Sequence, residues 1–156
     1  MRRFLASATL MVGSAALFCN GTPSSAQVSA DDPLAALSSK YNSDRDSYLA
    51  KHPVRLSPLF KAAAELIDLL GRFDVIIIDK CEFDPGFPDW AEGTGLRMNT
   101  VLELDKSYKG AMQSEMDKPQ DSLGPDRSLC ADAKRHRRET VGAFQRAAAI
   151  LRQQGY

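Results

Sequence analysis

Cys81 and Cys130 stand 49 residues apart, toward the ends of two long segments patterned as helices. A bond between them would dictate which end of one segment meets which end of the other. Whether it forms depends on the redox compartment, and the first residues bear on that. Arg2 and Arg3 precede an uncharged stretch from Phe4 to Phe18, and a small-residue region ending Ser24, Ser25, Ala26 follows. This is the three-part plan of a secretory signal. Its apolar run of about 15 residues falls short of the roughly 20 that span a bilayer as a helix. Residues 1–26 are therefore read as a cleaved signal peptide and 27–156 as one helical domain.

Cys19 leaves with the leader. A lipoprotein site there would want a small residue before the cysteine, and Phe18 occupies that place. Cys81 and Cys130 then form a single pair in an oxidising compartment, where a disulfide is the default. The expected address is periplasmic or secreted, with the short leader and the lack of N-x-[ST] sites beyond residue 26 favouring the periplasm.

The whole chain carries 20 Lys+Arg against 20 Asp+Glu. Loss of Arg2 and Arg3 turns that balance slightly acidic, which argues against nucleic acid held by counterion release. A 26% charged fraction of mixed sign is ordinary for a globular domain.

Four helices follow from caps, breakers and apolar period. Asp32-Pro33 is a good helix start, and Leu34, Leu37, Tyr41 and Tyr48 recur at helical spacing before Pro53. Ser57-Pro58 repeats the start signal. In the next segment the run Val75-Ile76-Ile77-Ile78 also suits a buried strand ending in an acid, but no phosphate-binding glycine motif accompanies it. At 100° per residue Lys61, Glu65, Asp68, Arg72 and Asp79 share one side, and Leu59, Leu66, Leu70, Phe73, Ile77 and Cys81 the other. The segment is read as one helix from Pro58 to about Glu82. Helix three is placed over Leu96 to Met116, with Met98, Val101, Leu102, Tyr108, Met112 and Met116 on one side. Helix four is capped by Asp126 and runs to about Gln154 on Leu129, Ala133, Val141, Phe144, Ala147, Ala148 and Leu151. The expected fold is all-α, a four-helix bundle-like single domain with one disulfide.

Two charges fall inside apolar faces, Asp74 on helix two and Arg137 on helix four. Asp74 lies seven residues before Cys81, and Arg137 seven after Cys130. With the cysteines bonded and the helices antiparallel, equal offsets set Asp74 opposite Arg137, two turns from the bond. A simple up-down-up-down bundle would put the two cysteines at opposite ends. The bond therefore requires 83–95 or 117–124 to travel back along the bundle.

Candidate chemistry is thin. Asp74, Asp105, Glu115 and His136 approach apolar faces, yet they lack the Glu-x-x-His spacing of metal-binding bundles, and no metal or other cofactor is assigned. Met112 and Met116, one turn apart, suit core filling better than copper. No nucleophile stands beside a base in sequence, so no catalytic residue is assigned. Phe83, Phe87 and Trp90, set among acids and prolines, suit a rigid partner-binding loop, with the alternative that the rings fold back and plug the end of the bundle. The functional expectation is a non-enzymatic binding, adaptor or chaperone-like accessory to another envelope protein, with no nucleic acid and no stable membrane span. A metal- or haem-binding bundle comes second and an enzyme of unknown class third.

Overall fold

The computed structural model describes residues 33–81, 89–119 and 124–156. The proposed leader lies outside them, as do Phe83 and Phe87. The described residues contain four α-helices, α1 (Pro33–Lys51), α2 (Pro58–Cys81), α3 (Met98–Met116) and α4 (Arg127–Gln153), and a 3-10 turn over Asp89–Ala91. No strand occurs among them. The chain divides into two compact units, residues 1–37 and 38–156. Of the first, only the opening turns of α1 are described.

The helix starts are chemically explicit. Ser57 Oγ accepts the Phe60 N–H, satisfying a donor that the first turn of α2 leaves open. Asp126 Oδ1 accepts both the Ser128 and Leu129 N–H groups at the start of α4. Through Val75–Ile78 the helix prevails over the strand alternative. Val75 and Ile77 are buried, Ile76 is half-buried and Ile78 is exposed, and the packing of the inward residues outweighs the weak helix propensity of the β-branched run.

α2 is the central element. It packs extensively against α3 and α4, which approach each other little. The Cys81–Cys130 bond, with Cα atoms 5.2 Å apart, joins the end of α2 to the start of α4. Beside it the Asp126 N–H donates to the Lys80 carbonyl. The two helices therefore run antiparallel. Equal steps from the disulfide pair Asp74 with Arg137 at seven residues, Ile67 with Phe144 at fourteen and Phe60 with Leu151 at twenty-one, and the four apolar residues among these are all buried.

α3 runs parallel to α2. Gly71 meets the Tyr108–Met112 stretch, and Arg72 reaches Glu115 further along both helices. The chain between Cys81 and Met98 accordingly joins opposite ends of α2, which the first of the two routes the cysteines allowed requires. α2 is about 36 Å long at 1.5 Å per residue, within reach of a connection of that length. Midway along it Trp90 is 3% exposed, edge-on to Phe144 at 5.5 Å and tilted against Tyr108 at 6.3 Å. The ring fills the space that α3 and α4 leave between them, so Trp90 is a core residue, as the alternative of rings folding back onto the bundle has it, and not an exposed partner anchor.

The buried faces also differ from those expected. On α2 the buried set is Phe60, Ala63, Ile67, Leu70, Gly71, Asp74, Val75 and Ile77, an arc centred near Asp74, because neighbours cover the helix from two sides. Leu59, Leu66 and Phe73 sit half-buried at its margin. On α3 the core contributors are Thr100, Leu104, Tyr108 and Ala111, while Met98 and Met116 are exposed. Leu129 is likewise exposed near the start of α4. α1 contributes no buried residue. It is tied to α3 by Asn99 Nδ2 donating to the His52 carbonyl and by the Lys109 ammonium over the Tyr41 ring.

Candidate functional site

Two features stand out, a polar cluster in the core and an open groove on the surface. The cluster takes one residue from each of the three core helices. Asp74 of α2 is 1% exposed. Its Oδ1 accepts from Arg137 Nε of α4 at 2.6 Å, and its Oδ2 accepts from the Tyr108 hydroxyl of α3 at 2.6 Å. Both carboxylate oxygens are therefore engaged, the condition under which a buried charge is tolerated. Tyr108 was assigned only to an apolar stripe by its sequence position. A buried tyrosine needs a partner for its hydroxyl, and that need was the available signal.

Burial, then the hydrogen bond to ionised Asp74, push the Tyr108 phenol far above the ordinary tyrosine range. Its folded pKa is raised, so the stabilisation is complete below the unfolded value near 10 and drains away as pH rises from there toward the folded value. Over that interval the unfolded chain has lost a proton that the native chain keeps, and stability falls by about 1.4 kcal/mol per pH unit. Tyr108→Phe is expected to remove this alkaline slope. Urea midpoints taken between pH 9 and 11.5 check it, and an unchanged slope would place its origin elsewhere.

The other candidate residues are dispersed. Asp105 pairs with Lys109 at 2.9 Å and Glu115 with Lys118 at 2.5 Å. His136 stacks on Phe73 with ring centres 5.8 Å apart, and its Nδ1 lies 3.4 Å from Glu139. The carboxylate and imidazole groups of Asp74, Asp105, Glu115 and His136 do not converge, because Asp74 is claimed by Arg137 and Tyr108 while the others turn to partners one helical turn away. Among the described residues no group of three or more His, Cys, Asp or Glu side chains is placed to hold a metal ion. No described helix is long and apolar enough to cross a membrane.

The groove lies between α2 and α3. An open cavity of about 740 Å³ is lined by Lys61, Ala64, Glu65, Asp68, Leu69, Ser107, Gly110 and Ala111. Leu69 is 43% exposed there. This surface is not legible from apolar periodicity, although Gly110 in the interior of helix three is a signal.

The two helical glycines nearest the α2/α3 contact differ in what surrounds them. A Cβ on Gly71 would stand 2.5 Å from the Tyr108 carbonyl oxygen, so the approach of α3 to α2 requires glycine. A Cβ on Gly110 would meet nothing within 4 Å. Glycine costs a helix interior roughly 0.5–1 kcal/mol relative to alanine, and nothing within the described chain offsets that cost at Gly110. No family model matches the chain, and neither a curated protein nor a solved structure shows significant similarity to it.

Proposed function

We propose that this chain is a non-enzymatic helical binding module, an accessory or chaperone-like partner of another envelope protein, and that the α2/α3 groove receives an amphipathic helix of that partner. Gly110 carries the reading. It is a destabilising residue without crowding inside its own molecule, set in the lining of an open groove where a bare backbone lets another backbone come close. Ala64, Ala111 and half-exposed Leu69 offer an apolar seat, and Lys61, Glu65 and Asp68 offer both signs of charge to the polar flanks of a docked helix. The leader-like residues 1–26 and the disulfide support the envelope address.

Substitution separates structural glycine from functional glycine. Gly110→Ala is expected to stabilise the protein by about 0.5–1 kcal/mol, and Gly71→Ala to destabilise it by about 1–3 kcal/mol through overpacking. Urea denaturation measures both. For function, a photo-crosslinking residue replacing Ser107 should trap an envelope protein through one of its helices, and Gly110→Leu in the same background should abolish the adduct without lowering the melting temperature. Cross-linking only to a second copy of the chain, or an adduct that survives Gly110→Leu, would overturn the proposal.

A further inference from the structure

We propose that Trp90 is a displaceable plug. Residues 90–96 leave the bundle as a unit while α2, α3 and α4 stay folded, and the slot so opened between α3 and α4 takes a phenyl-class aromatic ring from outside.

The indole is incompletely satisfied where it sits. It is buried, and its Nε1 is the one buried side-chain nitrogen or oxygen among the described residues without a hydrogen-bond partner. Buried donors ordinarily find one. Leaving such a donor unmet costs roughly five- to a hundredfold in equilibrium constant. The neighbouring Tyr108 hydroxyl is turned to Asp74, and the faces of Tyr108 and Phe144 are only weak acceptors. That cost disappears when the indole reaches water. It is equally absent when a ring that carries no donor takes the indole's place.

Burial alone holds the plug. The Thr94 hydroxyl and N–H donate to the Ala91 carbonyl at 2.9 and 3.4 Å, and the Leu96 N–H donates to Thr94 Oγ1 at 3.4 Å. These bonds lie inside the turn and survive its movement. Among the described residues no hydrogen bond or ion pair runs from 90–96 to a core helix. Gly93 and Gly95, at φ 68° and 65°, follow the plug directly. The freest backbone of the connection thus stands between Trp90 and the start of α3, where a hinge is needed. That start is itself anchored, since Asn99 Nδ2 donates to the His52 carbonyl.

The slot keeps its walls when the wedge leaves. Tyr108 is fixed by its hydrogen bond to Asp74, and the Cys81–Cys130 bond and the Asp74–Arg137 pair hold α2 against α4 without help from the turn. α3 and α4 approach each other little, so the space does not depend on their separating. Its walls include Phe144, edge-on to the present occupant, and Tyr108, tilted against it, the arrangements aromatic pairs prefer. A flat apolar ring fits such walls. Neither residue lines the α2/α3 groove, so the two sites stand or fall separately.

Trp90 is the sole tryptophan, and its indole N–H and emission therefore report on the slot directly. In the full chain, exchange of the indole N–H, referred to its rate in the unfolded chain, is expected to be at least tenfold faster than that of the Ile67 and Leu104 amides. It should also respond little to low urea, the mark of an opening that exposes little surface. Toluene and N-acetylphenylalanine amide, each added without denaturant, should raise acrylamide quenching of Trp90 severalfold and saturably, with helical circular dichroism unchanged. A response to toluene alone assigns a free arene, and a response to both assigns a ring carried on a peptide. Trp90→Ala should bind toluene at least tenfold more tightly than the wild type, because the competing plug is gone; the wild-type measurements decide the matter without it. Indole exchange that matches the core amides in rate and urea dependence, or quenching that neither probe moves, would overturn the proposal.

Discussion

Arg137→Ala is expected to cost about 3–5 kcal/mol, because it leaves the buried Asp74 carboxylate with its hydroxyl partner alone. That is a large share of the 5–15 kcal/mol by which domains are ordinarily stable. The cost belongs to the orphaned charge and not to the pair as such. Replacing the whole cluster, Asp74→Leu with Tyr108→Phe and Arg137→Leu, is therefore expected to recover most of it, since aliphatic groups of similar volume often match or exceed a buried ion pair. A cycle of urea denaturations on the single, double and triple variants isolates the coupling between the three residues. Strictly additive costs would mean that the three side chains act independently, contrary to the geometry. What the cluster adds beyond stability is alignment, since one carboxylate sets the register of α2 against both of its neighbours.

Removing the disulfide is the second large effect. In the chain-entropy model a bond closing a loop of this size contributes about 4 kcal/mol. The variant with Cys81→Ala and Cys130→Ala should lose that amount by urea denaturation, and the wild-type protein should lose the same amount in strong reductant. Agreement between the two would assign the loss to the bond, and a reduced protein as stable as the oxidised one would remove the bond from the account. The reduced chain is expected to keep its topology, because the Asp126–Lys80 backbone hydrogen bond and the Asp74–Arg137 pair hold the same α2/α4 register without it. Alkylation of the native protein supplies the complementary check, for which two free thiols would be the contrary result.

Much of the architecture was legible because its signals are local. Ser57-Pro58 and Asp126 announced helix starts that the structure shows with their capping hydrogen bonds. The α2 pattern favoured one helix through Gly71, and that helix is present, although the glycine proved to be a site of close approach by α3. The matched seven-residue offsets, given the disulfide, placed Asp74 opposite Arg137, and in the structure their side chains meet at 2.6 Å. Period and offset are properties of a single chain read along its length, so composition and spacing carry them.

Other features depended on which elements came together. Leu34, Leu37, Tyr41 and Tyr48 recur at helical spacing along α1, but none of its residues is buried. Trp90 suited either a recognition anchor or a ring folded back onto the bundle, and it lies inside, because its ring occupies the space between α3 and α4. Sequence indicated the four helices, the caps of α2 and α4 and, given the disulfide, the pairing of α2 with α4, since hydrogen-bonding chemistry and a covalent link act between positions that numbering alone relates. Tertiary structure decided that α3 runs parallel to α2, that Tyr108 completes the Asp74 cluster, and that a groove opens beside Gly110. Those outcomes follow from the order in which three cylinders share one buried face, and helical periodicity does not encode which neighbour covers which part of it.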